Sequence, residues 1–179
     1  MNLPALRRQS DEVYYAEGDV VRIGADELAF VRRAAAVSPR RRARICAHPQ
    51  PGDRLHEMVI ALARDGYIRP HKHLRRAESF QVFEGAAEVV VFDDAGAVTN
   101  VVAMSSDGVR MYRLNAPRFH TVLVRSECFV VHETTEGPFD PSDTEFARWA
   151  PAETDAPAVA AYAADLERRV LEFRSPGAR

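Results

Sequence analysis

Between Met58 and Glu133 the chain breaks into short runs rich in β-branched and aromatic residues: Met58–Ala63, Ser79–Phe83, Glu88–Phe92, Val98–Met104, Val109–Leu114, Thr121–Val124 and Phe129–Glu133. Turn signals separate them, with Glu84-Gly85 ending one run and Asp93-Asp94-Ala95-Gly96 reading as a hairpin turn. That density of strands predicts an antiparallel barrel or sandwich. A helix is predicted on each flank. Asp26–Val37 carries acids in its first turn, sets Leu28, Val31 and Ala35 on one face and stops at Ser38-Pro39. Asp155-Ala156-Pro157 opens the other, with Val159, Tyr162, Leu166, Val170 and Phe173 three or four apart. The reading is a mainly β chain: an extension over 1–25 with a candidate edge strand at Val20–Ile23, a barrel with its leading helix over 26–153, and an amphipathic helix over 154–179.

Composition narrows the function. The 179 residues suit one domain, and 46% hydrophobic against 28% charged residues excludes wholesale disorder. The longest apolar runs, such as Val89–Phe92, fall far short of the about 20 residues of a membrane helix. A net charge of −2 argues against nucleic acid as the partner. Cys46 and Cys128 are too few for a disulfide scaffold, and without a visible leader a cytoplasmic location is expected. Lys72 is the single lysine, and no phosphate-binding G-x-x-x-x-G-K-[ST] loop occurs, which excludes P-loop chemistry. The basic run Arg40-Arg41-Arg42-Ala43-Arg44 reads as a solvated connection, with an anion-contacting arm as the alternative.

The chemistry concentrates around three histidines. In an extended strand His71 and His73 point to one face, about 7 Å apart along the chain, while Lys72 points away. Glu78 follows a turn and can fold back beside them, and His120 opens a separate strand. Three neutral imidazoles and a carboxylate suit one divalent transition ion among Fe, Mn, Co, Ni, Cu and Zn better than Ca or Mg.

The string His71-Lys72-His73, then Glu78, then Gly85 reproduces H-x-H-x4-E-x6-G, and Asn115–His120 keeps a histidine at the matching offset. The pattern resembles the two motifs of the cupin superfamily, although Asn115, Pro117 and Val124 depart from the usual proline, glycine and asparagine. Further stretches are similar to the WbuC family of cupin-fold metalloproteins: Ser38–Arg44, His48-Pro49, Tyr67–His71, Phe92–Asp94, Glu136–Pro141, Phe146 and Trp149–Glu153. That resemblance spans about 26–153. It implies a single double-stranded β-helix, or jelly-roll barrel, with one metal held by His71, His73, Glu78 and His120, and no settled reaction; the family's name comes from bacterial O-antigen polysaccharide genes.

Around that site Arg69, Arg75, Arg76 and Arg118 make an electropositive mouth an expectation, against plain surface solubility. Tyr67, Gln81, Tyr112 and Phe119 are candidate pocket residues whose aromatic members also read as core, and Glu133 falls where the WbuC pattern has a glutamate. His48 and His56 read as structural or exposed. The functional expectation is a metal-dependent enzyme working on a small polar or anionic molecule, sugar-derived ones included, by oxygenation or isomerisation. The alternative is a binding or sensing module without turnover. A homodimer is expected from the open sheet edges of such a barrel.

Overall fold

The computed structural model describes residues 5–175. An N-terminal hairpin, β1 (Leu6–Arg8) and β2 (Val13–Ala16), leads to helix α1 (Ala25–Val37) and strand β3 (Arg42–Cys46). Then follow β4 (Leu55–Ala63), β5 (His71–His73), β6 (Glu78–Glu84), β7 (Ala86–Phe92), β8 (Val98–Ser105), β9 (Met111–Leu114), β10 (Phe119–Val124) and β11 (Cys128–Glu136). A 3-10 turn, β12 (Thr144–Phe146) and helix α2 (Ala156–Arg174) complete the described chain.

One sheet has the order β1-β2-β3-β4-β11-β6-β9 and the other β12-β5-β10-β7-β8. Strands β4 to β11 therefore pair as nested antiparallel partners, β4 with β11, β5 with β10, β6 with β9 and β7 with β8, folded over so that successive pairs alternate between sheets. The fold is a jelly roll. Its terminal helices sit where the sequence puts them, and Leu166 and Val170 of α2 are buried as its apolar spacing requires. No described helix is long and apolar enough to cross a membrane.

The layers explain the strand sequences. Leu62, Phe80, Val89, Val122, Phe129 and Val131 fill the space between the sheets. The seven-stranded sheet is covered on its outer face by α1, where Val31 and Ala35 meet Ala43, Ile45, Val59 and Ala61. The five-stranded sheet is covered by α2, whose Leu166 and Val170 meet Val90, Phe92 and Phe119. A strand buried on both faces reads as a continuous apolar run, as in Val89–Phe92, rather than an alternating one. Arg125 fastens α2 by bonding both Glu88 and Glu167, and Arg174 reaches Glu88 as well. At the hairpin turn Gly96 adopts φ 91°, and a Cβ there would press on the Trp149 ring.

Two expectations are corrected. Val20–Ile23 forms no strand; the edge is built by Leu6–Arg8 and Val13–Ala16, where Val13 and Tyr15 register with Arg44 and Cys46 of β3. The basic run is no solvated connection, because Arg42–Cys46 is an internal strand between β2 and β4. Its alternation decides this: Ala43 and Ile45 are buried beneath α1, so Arg42, Arg44 and Cys46 face the other way.

Candidate metal centre

Strands β5 and β10 are neighbours, and His120 is the direct register partner of His71. His73 lies two residues along β5 on the same face, so three imidazoles meet at one spot, with ring centroids 4.6, 5.1 and 5.7 Å apart. One ligand nitrogen from each ring lies within 4.8 Å of the others. Glu78, at the start of β6 where the chain passes to the facing sheet, closes the group. Its Oε1 is 2.8 Å from His120 Nε2 and its Oε2 3.3 Å from His73 Nε2.

The neighbouring backbone fixes two of the rings. His71 Nδ1 donates to the Arg69 carbonyl at 2.9 Å, and His120 Nδ1 donates to the Arg118 carbonyl at 3.0 Å. Each turns Nε2 inward, the orientation a histidine ligand needs once that nitrogen has shed its proton. His73 differs. Its Nδ1 faces Arg76 Nη2 at 3.2 Å and the Thr144 hydroxyl at 3.4 Å. The guanidinium can only donate, whereas the hydroxyl can accept once Nδ1 carries the hydrogen.

The electrostatics suit a cation. Burial, joined by His120, pushes His71 down to about 3, so it is neutral at ordinary pH. Burial opposes charge on Glu78 too, but His120 and His73 outweigh it and hold its carboxyl well below the usual range. Burial likewise works against charge on His120, yet Glu78 raises it. Glu78 Oε1 is nevertheless buried without a well-formed hydrogen bond. The imidazoles of His71, His73 and His120 form the cluster able to ligate, and the buried Glu78 carboxylate, in contact with His120 and His73, stands beside it; this donor set fits a divalent transition metal.

The group opens into a cavity of about 440 Å³ between the sheets. Glu133 lines it from β11, registered with Met58 and Phe80. Burial, with Glu78 adding to it, pushes the Glu133 carboxyl up to about 7. Arg69 also lines the cavity, its Nη2 bonded to the Ala147 carbonyl at 2.9 Å and its guanidinium over Phe146. A larger, shallower groove of about 850 Å³ lies on the outer face of the seven-stranded sheet, beside Phe83 and His132, with none of these groups.

Other candidates lie elsewhere. Gln81 alternates outward on β6 and is exposed. Tyr67 bonds the Pro151 carbonyl at 3.1 Å and meets Tyr162 edge-on beneath α2. Tyr112 is buried in the core between the sheets, outside the cavity lining, with its hydroxyl unpartnered. Arg118 is exposed and serves through its carbonyl, Phe119 is core beneath α2, and Arg75 pairs with Asp140 and Asp143 at the surface. His48 and His56 are buried and stacked, 4.1 Å between centroids. Arg42 and Arg44 of the basic run line the cavity, as its reading as an anion-contacting arm expects, and Glu153 and Thr144 line it as well, Thr144 unforeseen. Alternation within Arg42–Cys46 turns Arg42 and Arg44 to the cavity; nothing local marks Thr144.

Residues 23–104 match the model of a domain of unknown function, DUF6016. No curated protein matches the chain. Among solved structures, the capsular polysaccharide assembling protein CapF from Staphylococcus aureus is similar with TM-score 0.49 and 19% identity, over 62% of this chain and 32% of that one. A cupin-2 domain from Rhodospirillum rubrum gives 0.48 and 14% over 70% and 78%, and KdgF from Halomonas sp. 0.46 and 19% over 59% and 86%. This chain thus spans about a third of CapF. The fold assignment rests on the strand order, which these cupin-fold neighbours accompany.

Proposed function

We propose that this chain is a metal-binding cupin of the WbuC type and a mononuclear metal-dependent enzyme. Its substrate is a small polar or anionic molecule, with sugar-derived molecules among the candidates, and its reaction an oxygenation or an isomerisation. The observation that carries this reading is the cluster of the His71, His73 and His120 imidazoles, with the buried Glu78 carboxylate in contact with two of them, at the end of an open-mouthed cavity. A bound divalent transition metal supplies Lewis acidity and, if redox-active, electrons.

The chain's own part follows from geometry. The Arg69 and Arg118 carbonyls orient two rings, and Thr144 stands ready to orient the third. Glu133, near half-protonated at neutral pH, is placed to give a proton to a ligand in the cavity or to take one. Phe139 and Phe146 line the cavity as exposed rings, offering apolar faces beside the polar floor.

Elemental analysis of protein purified without added metal tests the reading. Bound transition metal in the wild type and its loss in His120→Ala support it; a wild type that takes up none when supplied with these ions contradicts it. For assembly we infer a homodimer, supported by open sheet edges such as the eight-residue β8 and β9 with its exposed Met111. Light scattering is expected to give twice the 20.0 kDa chain mass, and a clean monomer would refute it.

A further inference from the structure

Five guanidinium groups line the cavity, and most are already neutralised. Arg40 and Arg42 both bond Glu153, at 2.8 and 3.1 Å, and both approach Glu12. Arg76 lies 3.2 Å from Asp143. Arg69 makes no ion pair among the described residues, but it is fixed at the histidine end by the Ala147 carbonyl and the Phe146 ring. Arg44 is the outlier. Among the described residues it forms no ion pair, and its one polar side-chain contact is Nη1 to the Met58 sulfur at 3.8 Å, a weak acceptor.

Register fixes where that head group lies. Arg44 sits opposite Ile60 on β4, and Met58, which its guanidinium reaches, is the direct partner of Glu133 on β11. Glu133 in turn sits opposite Phe80, two residues along β6 from Glu78. A row therefore crosses the cavity floor from Arg44 past Glu133 to the histidine cluster. Among the described residues Arg44 has no anion within ion-pair distance, although its charge acts at longer range on Glu133, so its donors stay free for an acidic group in the cavity.

We propose that Arg44 is the counter-ion for an acidic group on the cavity's ligand, holding a carboxylate at the end remote from His71, His73 and His120. This names the substrate class within the function proposed above and rests on the cavity being that ligand's site. The planar fork of arginine matches a carboxylate with two parallel bonds. One free guanidinium at that end balances one negative charge, which favours a carboxylate over a doubly charged phosphate. Arg44 is a positioning group for the ligand's acid, and Glu133, between it and the histidines, faces the middle of the bound molecule.

Calorimetric titration of the full chain with D-gluconate, D-sorbitol and D-sorbitol 6-phosphate tests this, since the three share a polyol backbone and differ in the terminal group. The wild type is expected to bind gluconate at least about tenfold tighter than sorbitol. Arg44→Gln is expected to abolish that preference while leaving sorbitol binding and metal content unchanged, and Arg44→Lys to restore part of it. A wild type without preference for the acid, or Arg44→Gln that keeps the preference, overturns the proposal. Tighter binding of the phosphate than of gluconate overturns the choice of carboxylate. Metal content, measured on each sample, separates the two readings: a metal-free protein that still prefers the acid through Arg44 sustains this inference and removes the metal function.

Discussion

Strands β3 and β5 both turn alternate polar residues toward the same cavity, yet they are held in place by opposite means. On β3 the residues that face away, Ala43 and Ile45, are fully packed beneath α1, so Arg42 and Arg44 ride on an apolar anchor. On β5 the outward residue is Lys72, lying over the Phe119 ring and near Asp94 and Glu145, and the three-residue strand is held through β10, β12 and its own histidines. The β3 strand is anchored by side chains that face away from the cavity, the β5 strand by its neighbouring strands.

That contrast can be broken by substitution. Ile45→Ala is expected to produce the largest effect, about 2–5 kcal/mol lost in chemical denaturation, because the side chain is wholly buried and the surrounding sheet and helix cannot collapse onto the gap. Metal content should be unchanged in the fraction that folds. A loss below about 1 kcal/mol would mean that β3 is not anchored from beneath α1.

On β5 the expected outcome is reversed. His71→Ala should abolish metal binding, yet its melting temperature should stay within a few degrees of metal-free wild type, since the core between the sheets is built from Leu62, Phe80, Val89 and Phe129. Global unfolding of the variant would make the histidines structural. Thr144→Val removes only the hydroxyl available to His73 Nδ1 and should weaken metal affinity about tenfold to a hundredfold in a chelator competition. An unchanged affinity would mean that the hydroxyl does not hold that ring.

The smallest expected effect concerns Glu133. Its folded pKa, pushed up to about 7, lies above the ordinary value of 4.5, so its stabilising effect is complete below about pH 4.5 and is lost as pH rises through 7. In metal-free protein Glu133→Gln should gain stability relative to wild type across that window and show a constant difference above it. Denaturation curves at several pH values check this; a flat difference would place the carboxyl in water.

The same contrast governs how far the sequence could be read. The candidate β5 site was legible because two histidines one residue apart face one side of a strand, and Glu78 and His120 stand at offsets that resemble the cupin motifs. The β3 wall was not, because four arginines in five positions read as a charge run and hide the two-residue alternation of Ala43 and Ile45. An antiparallel barrel or sandwich was legible from strand density and turns such as Gly96, and the jelly roll from the cupin resemblance, whereas the N-terminal edge was misplaced, since Val20–Ile23 looks more β-like than Leu6–Arg8 and nothing local reveals the pairing with β3. Gln81 lies three residues after Glu78, and that odd number of residues along a strand turns it to the opposite face.

The central claim is that His71, His73, Glu78 and His120 hold one transition ion at the end of the cavity. X-ray absorption at the edge of whichever metal copurifies tests it most directly. The expected result is about one ion per chain in a nitrogen and oxygen shell that includes three imidazoles at about 2.0–2.2 Å, lost in His120→Ala. A sulfur-containing shell, or an imidazole shell that persists in His120→Ala, would contradict it.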